Sequence, residues 1–176
     1  MKKIYFIVLI SFIAVTVFAQ SEEKKDKIIE DSKEAKVEFL EGDWQMEKHF
    51  NKAYGYVIFP NVGKGGIGIG GAAGNGVAYE QGQMVGMAKL SQVSIGFQWG
   101  GQAYREVIFF ESKKEMDRFK ENKVEFSAQV SAVAVTAGAS ADAKYVEGVM
   151  VFTMQKGGLM YEAAVGGQKF KFNPFD

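Results

Sequence analysis

Few residues in this chain have the types and spacing needed for chemistry. There is one histidine, His49, and no cysteine. Without cysteine there are no thiol nucleophiles, thiolate zinc sites or iron–sulfur clusters. A single histidine cannot make a multi-histidine metal site, and no Gly-x-Ser-x-Gly elbow accompanies it for a serine triad. His49 falls on a predicted helix among aromatics, where a packing or surface role is expected. The carboxylate pairs Glu22 with Glu23 and Glu121 with Glu125 lie in charged stretches that read as solvated faces. No catalytic residue, cofactor or metal is expected.

The glycine cluster is the other candidate. Gly68-Ile69-Gly70-Gly71-Ala72-Ala73 fits a loose Gly-x-Gly-x-x-Ala dinucleotide pattern. Its glycines lie inside a predicted strand, and Gly74 and Gly76 interrupt any following helix, so the nucleotide geometry is not met. Gly63-Lys64-Gly65-Gly66 is not a phosphate loop, because the lysine is misplaced and no Ser or Thr follows it. Close packing and tight turns explain these glycines better.

The elements that would position such residues follow from periodicity. Lys2 and Lys3, an apolar run from Ile4 to Phe18, and Val17-Phe18-Ala19 have the form of a secretory signal peptide cut before Gln20. Residues 1–19 are therefore expected as a leader, 20–52 as a helical segment and 53–176 as a glycine-rich β core of the same domain. Export to the periplasm or beyond follows, and without cysteine the product is not a lipoprotein. The leader removes two of the 21 basic residues, leaving 19 against 21 acidic ones, a formal charge of −2. That sign argues against a nucleic-acid partner. A hydrophobic fraction of 47% supplies a core that needs no disulfides.

Ile28, Ile29, Ser32, Ala35, Phe39 and Leu40 recur at helical spacing, and Gly42 ends that helix. Asp43 is expected to cap a second helix carrying Trp44, Glu47 and Phe50. Tyr54–Phe59 reads as a strand stopped by Pro60. Gly66–Gly70 alternates with period 2, which places a glycine face where another layer can approach. Gly71–Gly76 reads as turn-rich. Further strands are expected at Val77–Tyr79, Val93–Trp99, Arg105–Phe110, Val124–Phe126, Val130–Ala137, Val149–Met154, Leu159–Val165 and Lys169–Phe172. Ser112-Lys113-Lys114-Glu115 has capping-box spacing for a short helix to about Glu121. The fold class is α+β: an antiparallel β sandwich or barrel-like core with N-terminal helices and one short internal helix.

One stretch is specific enough to suggest a family. It reads Ala53-Tyr54-Gly55, Val57-Ile58-Phe59-Pro60, Val62, Lys64-Gly65-Gly66, then Gly68, Gly70-Gly71, Gly74 and Gly76. Ser94-Ile95-Gly96-Phe97-Gln98-Trp99-Gly100-Gly101-Gln102, Val107–Phe110, Met116–Phe119, Ala128–Gly138 and Lys156-Gly157-Gly158-Leu159 continue the pattern. This resembles the SYLF domain, also described as the Ysc-type actin-binding domain. The resemblance implies a non-catalytic module that binds phospholipid or phosphoinositide-like head groups. The alternative is a protein-interaction or structural envelope module, actin-binding-like, with no lipid ligand.

On this resemblance Lys64 becomes a candidate for meeting a lipid phosphate. Lys24, Lys25, Lys27, Lys33 and Lys36, on the matching N-terminal helix, join it. That helix also carries eight acidic residues between Glu22 and Glu41, so it is not the basic amphipathic type that anionic membranes attract. The expected partners are membrane lipid head groups, or an envelope or cytoskeletal-type protein.

Overall fold

The computed structural model describes residues 2–67, 69–95, 102–126, 130–156, 165 and 167–175, with side chains from Glu22 onward except at 66, 67, 69, 94, 95 and 102. Three helices and seven strands follow in the order α1 (Lys2–Gly42), α2 (Met46–Lys52), β1 (Gly55–Ile67), β2 (Ile69–Glu80), β3 (Gln83–Ile95), β4 (Gln102–Phe110), α3 (Lys113–Lys120), β5 (Ala132–Ala134), β6 (Val149–Gln155) and β7 (Lys169–Pro174). The α+β expectation holds. The strands form one mixed sheet, ordered β5-β6-β4-β1-β2-β3-β7, in which only β5 and β6 run parallel.

The sheet buries both faces. On one side Ala35 and Phe39 of α1 and Met46 and Phe50 of α2 cover Tyr56, Ile58, Val77, Tyr79, Val107, Phe109 and Phe152. On the other side Val57, Phe59, Leu90, Ile108, Phe110 and Val151 meet Met116 and Phe119 of α3 and the aromatics Phe126, Phe170 and Phe172. Residues from strands far apart in the sheet share this second core because the sheet curls over it. Between β4 and β7 lie three strands, which in a flat sheet would hold them about 19 Å apart. Yet Gln168, just before β7, reaches Glu106 of β4 in a 2.9 Å hydrogen bond. The sheet does not close into a barrel.

Small residues on the concave face make this curl feasible. Ala72, Gly74, Gly76 and Ala78 alternate along β2, and Ala72 and Ala78 belong to the inner core. A Cβ on Gly76 would lie 2.3 Å from the Ile58 carbonyl oxygen and 2.7 Å from the Phe59 ring. These glycines therefore admit the neighbouring strand and its side chains.

Several boundaries differ from the sequence expectation. Pro60 does not stop β1; it sits where the register shifts against both neighbours, between Ile58 and Asn61 and between Phe59 and Val62. A bulge tolerates the missing N–H. Gly66–Gly70 is a hairpin end rather than one strand: Gly66 pairs with Gly70 and Ile67 with Ile69. Period-2 alternation survives a reversal of the chain, so the pattern alone does not reveal it. Gly68 lies outside the described residues. The turn-rich reading of Gly71–Gly76 is also corrected, since these residues form the middle of β2.

The first half of β3 went unread because only Val85 in it is β-branched and none of its residues is aromatic. Its position comes from the preceding turn, where Gln81 and Gly82 both adopt positive φ. The expected strand at 124–126 is a single bridge from Glu125 to Lys169, and the one at 130–137 shortens to β5. Residues 96–99 and 159–164 of two other expected strands lie outside the described residues. Ser112 does cap α3, its hydroxyl accepting from the Lys114 N–H. Asp43 does not cap α2: Gln45 holds that position, and the Asp43 carboxylate turns to Gln45 N–H and Ser140.

Candidate functional site

The six candidate lysines are not gathered into one site. Lys24 and Lys33 are exposed on α1. Lys25 pairs with Glu22 at 3.5 Å and sits 5.0 Å above the Phe175 ring. Lys27 lines a polar groove between α1 and the β1 bulge, shared with Asp31, Glu38, Asn61, Arg105 and Lys156. Lys36 turns inward, donating to the Tyr56 hydroxyl at 3.1 Å and lying 4.8 Å above the Phe50 ring. It holds α1 to the sheet.

Lys64 stands apart from these. It pairs across the hairpin with Ala72, whose side chain is in the inner core. Directly paired residues share a face, so Lys64 lies on the concave side of the sheet, opposite α1. The lysine is half-buried, and among the described residues no carboxylate pairs with it.

The motif glycines divide by position. Gly71 and Gly74 each hold a neighbouring backbone oxygen within 2.8 Å of where a Cβ would stand, as Gly76 does at 2.3 Å. Gly65 faces open space. Gly66 and Gly70 pair with each other at the hairpin end. For Gly71, Gly74 and Gly76 the signal is tight strand packing; none of the three is shaped to admit a ligand.

His49 is a packing residue. Its Nε2 lies 3.0 Å from the Ser140 carbonyl, and its ring is 5.3 Å from that of Phe152. Among the described residues no group of three or more His, Asp and Glu side chains could hold a metal ion.

The concave interior holds a polar set that the sequence reading missed. Along β4 the inward positions run Tyr104, Glu106, Ile108 and Phe110. Ile108 and Phe110, with Val149 and Val151 of β6, belong to the apolar core under α3. At the far end Glu106 is 0% exposed, Gln168 0%, Thr153 1% and Tyr104 6%. Thr153 of β6 stands directly opposite Glu106, which on its other side pairs with Phe59.

Gln168 Nε2 donates to Glu106 Oε2. Among the described residues three buried atoms at this end carry no partner, Glu106 Oε1, Thr153 Oγ1 and Gln168 Oε1, and the Tyr104 hydroxyl stands beside the Gln168 side chain. Burial pushes the Glu106 carboxyl up to about 8, and the bond from Gln168 offsets only part of that. Burial, then the neighbouring Glu106, also raises the Tyr104 phenol, so both groups are neutral at pH 7. The one available signal was the run Tyr104-x-Glu106 on the face that continues as Ile108-x-Phe110.

Residues 91–174 match the family model Ysc84, described as Las17-binding protein actin regulator. Beta cell expansion factor A of Aeromonas veronii is 32% identical over 123 residues, which cover 69% of this chain. The chain spans 46% of that protein's length. Through the segment from Ser91 to Pro174, this chain belongs to the Ysc84 (SYLF) family, whose domains are lipid-binding or actin-regulator-like.

Proposed function

We propose that this protein is a non-catalytic module that binds anionic phospholipid head groups. The observation that carries the reading is Lys64, a half-buried residue that pairs with no carboxylate among the described residues, at the β1–β2 hairpin on the concave face. A cation without a protein counter-charge beside it is available to an anion from outside. A lipid phosphate is such an anion, and the exposed Lys24 and Lys33 on α1 add only a weak field among eight acidic neighbours. The apolar N-terminal run, read as a leader, supports an activity in the periplasm or outside the cell.

The test is co-sedimentation with zwitterionic, phosphatidylglycerol/cardiolipin and phosphoinositide vesicles at low and physiological salt. Binding is expected only to anionic vesicles, weakening with salt, and Lys64→Ala is expected to remove most of it in a folded protein. Equal binding by Lys64→Ala would overturn the assignment of that residue.

A second reading rests on a different observation. Trp44 is 75% exposed, a large aromatic ring left at the surface. Exposed tryptophan is enriched at protein–protein contacts. This favours a protein partner of the actin-regulator type. Binding of filamentous actin that Trp44→Ala abolishes, with no binding to any vesicle, would make it the better reading.

A further inference from the structure

We propose that the uncovered part of the sheet's α1 face is a contact surface for α1 of a second copy of this chain. α1 and α2 cover only the end of this face built by Tyr56, Ile58, Val77 and Tyr79. Cross-strand partners share a face. The register therefore places Gly63 and Gly65 of β1, Gly71 and Ala73 of β2, Val93 of β3 and Ala103 of β4 on the same side, beyond α1. Among the described residues nothing covers them. Gly63, Gly65, Ala73 and Ala103 are exposed, Val93 is 78% exposed, and a Cβ on Gly63 or Gly65 would meet open space. A water-facing antiparallel surface ordinarily carries polar side chains. Here only Ser91 is polar among the described residues of these rows from β4 to β3, and bare backbone lets another element come close. The four strands from β4 to β3 span about 14 Å, room for one helix about 10 Å across.

The flank of this surface calls for an acidic occupant. Lys89 of β3 and Lys171 of β7 stand directly opposite each other, both exposed, and no carboxylate pairs with either among the described residues. Like charges in direct register are destabilising. Lys169, also exposed on this side, pairs with Glu125 at 3.5 Å.

The chain itself carries a matching surface. Ala35 and Phe39 of α1 are buried against the sheet. Val37 lies about 200° round the helix from each, so it points away from the sheet, and it is 53% exposed. Of the exposed residues between Glu22 and Glu41, six are acidic and three are lysines, so the outward side of α1 is net negative. Glu34 and Glu30 lie one and two turns before Val37.

A two-fold axis satisfies both copies at once: α1 of each lies on the bare face of the other, the two helices side by side between the two sheets. The contact covers Val37 and Val93 and sets glutamates toward Lys89 and Lys171. A nucleic acid is a poorer occupant, because Asp31, Glu34 and Glu38 border the bare face along α1. Lys64 lies on the opposite face, so vesicle binding and this contact fail independently.

The test is sedimentation velocity of the full-length protein over a concentration series up to about 1 mM, the weak end of specific association. Wild type is expected to shift to a species of twice the monomer mass. Val93→Asp is expected to remain monomeric with an unchanged melting curve. So are two charge reversals, Glu30→Lys with Glu34→Lys, and Lys89→Glu with Lys171→Glu. Mixed in equal amounts, the two reversed proteins are expected to dimerise with each other, since both contacts again join opposite charges. A wild type that stays monomeric overturns the proposal. So does a dimer that Val93→Asp and both reversals retain, which puts the association elsewhere, the apolar N-terminal run included. Reversed proteins that stay monomeric when mixed also overturn it.

Discussion

Asp43 Oδ2 accepts two hydrogen bonds from Ser140, one from its N–H at 2.9 Å and one from its hydroxyl at 2.7 Å, across 97 positions of sequence. Its other oxygen accepts from Gln45 N–H at 3.0 Å. The pair ties the corner between α1 and α2 to the turns that follow β5. Asp43→Ala strands the buried Ser140 groups and is expected to lower stability by about 3 kcal/mol in urea denaturation.

The same residue sets an acid sensitivity. Burial alone would raise the Asp43 pKa, but the hydrogen bonds from Ser140 and Gln45 outweigh it and hold the carboxyl below its ordinary value. A lowered folded pKa gives stability that is present above the unfolded carboxylate value, about 3.9. That stability is lost as pH falls through the folded value. Asp43→Asn should be less stable than wild type at pH 7 and close to it at pH 2, by circular dichroism melts.

Glu106 works in the opposite sense. Its folded pKa, about 8, lies above the unfolded carboxyl value, so folding takes up a proton in between. Wild-type melting temperature should be highest below about pH 4 in this group's contribution, decline as pH rises, and level off above pH 8. Glu106→Gln removes the charged form and should flatten that decline between pH 5 and 8. An unchanged profile would show that Glu106 does not titrate in this window.

Glycines of the motif should differ sharply in tolerance. Gly76→Ala puts a methyl group 2.3 Å from a backbone oxygen that cannot move aside cheaply. A loss of about 3 kcal/mol or failure to fold is expected. Gly65→Ala meets open space and should change stability by less than about 0.5 kcal/mol. Parallel urea titrations of the two variants check both.

Arg105 of β4 binds Glu38 of α1, with a guanidinium nitrogen 2.5 Å from the carboxylate, and both side chains are largely shielded. Removing either residue should loosen α1 while leaving the sheet intact. A double-mutant cycle with Ala at both positions should give a coupling of about 1 kcal/mol. Hydrogen exchange should accelerate in residues 22–42 and remain unchanged in β1 and β4.

Local pattern was enough for much of this fold. The stripe from Ile28 to Leu40 specified a helix docked on one face, because 3.6-residue periodicity is a property of consecutive residues. Gly42 marked its end and Ser112 the start of α3 for the same reason. The motif from Ala53 to Gly76 carried the family resemblance, and the lack of cysteine excluded thiol chemistry outright.

Tertiary structure alone decided the direction of the chain at Gly66–Gly70, the use of Gly74 and Gly76, and the company of Glu106. A hairpin and a straight strand share one alternation, so reversal is settled only by pairing. How close two strands come depends on the curl of the whole sheet, which no single segment encodes. Gln168 is 62 positions from Glu106. Only the register of β4, β6 and β7 brings such distant polar residues into one interior.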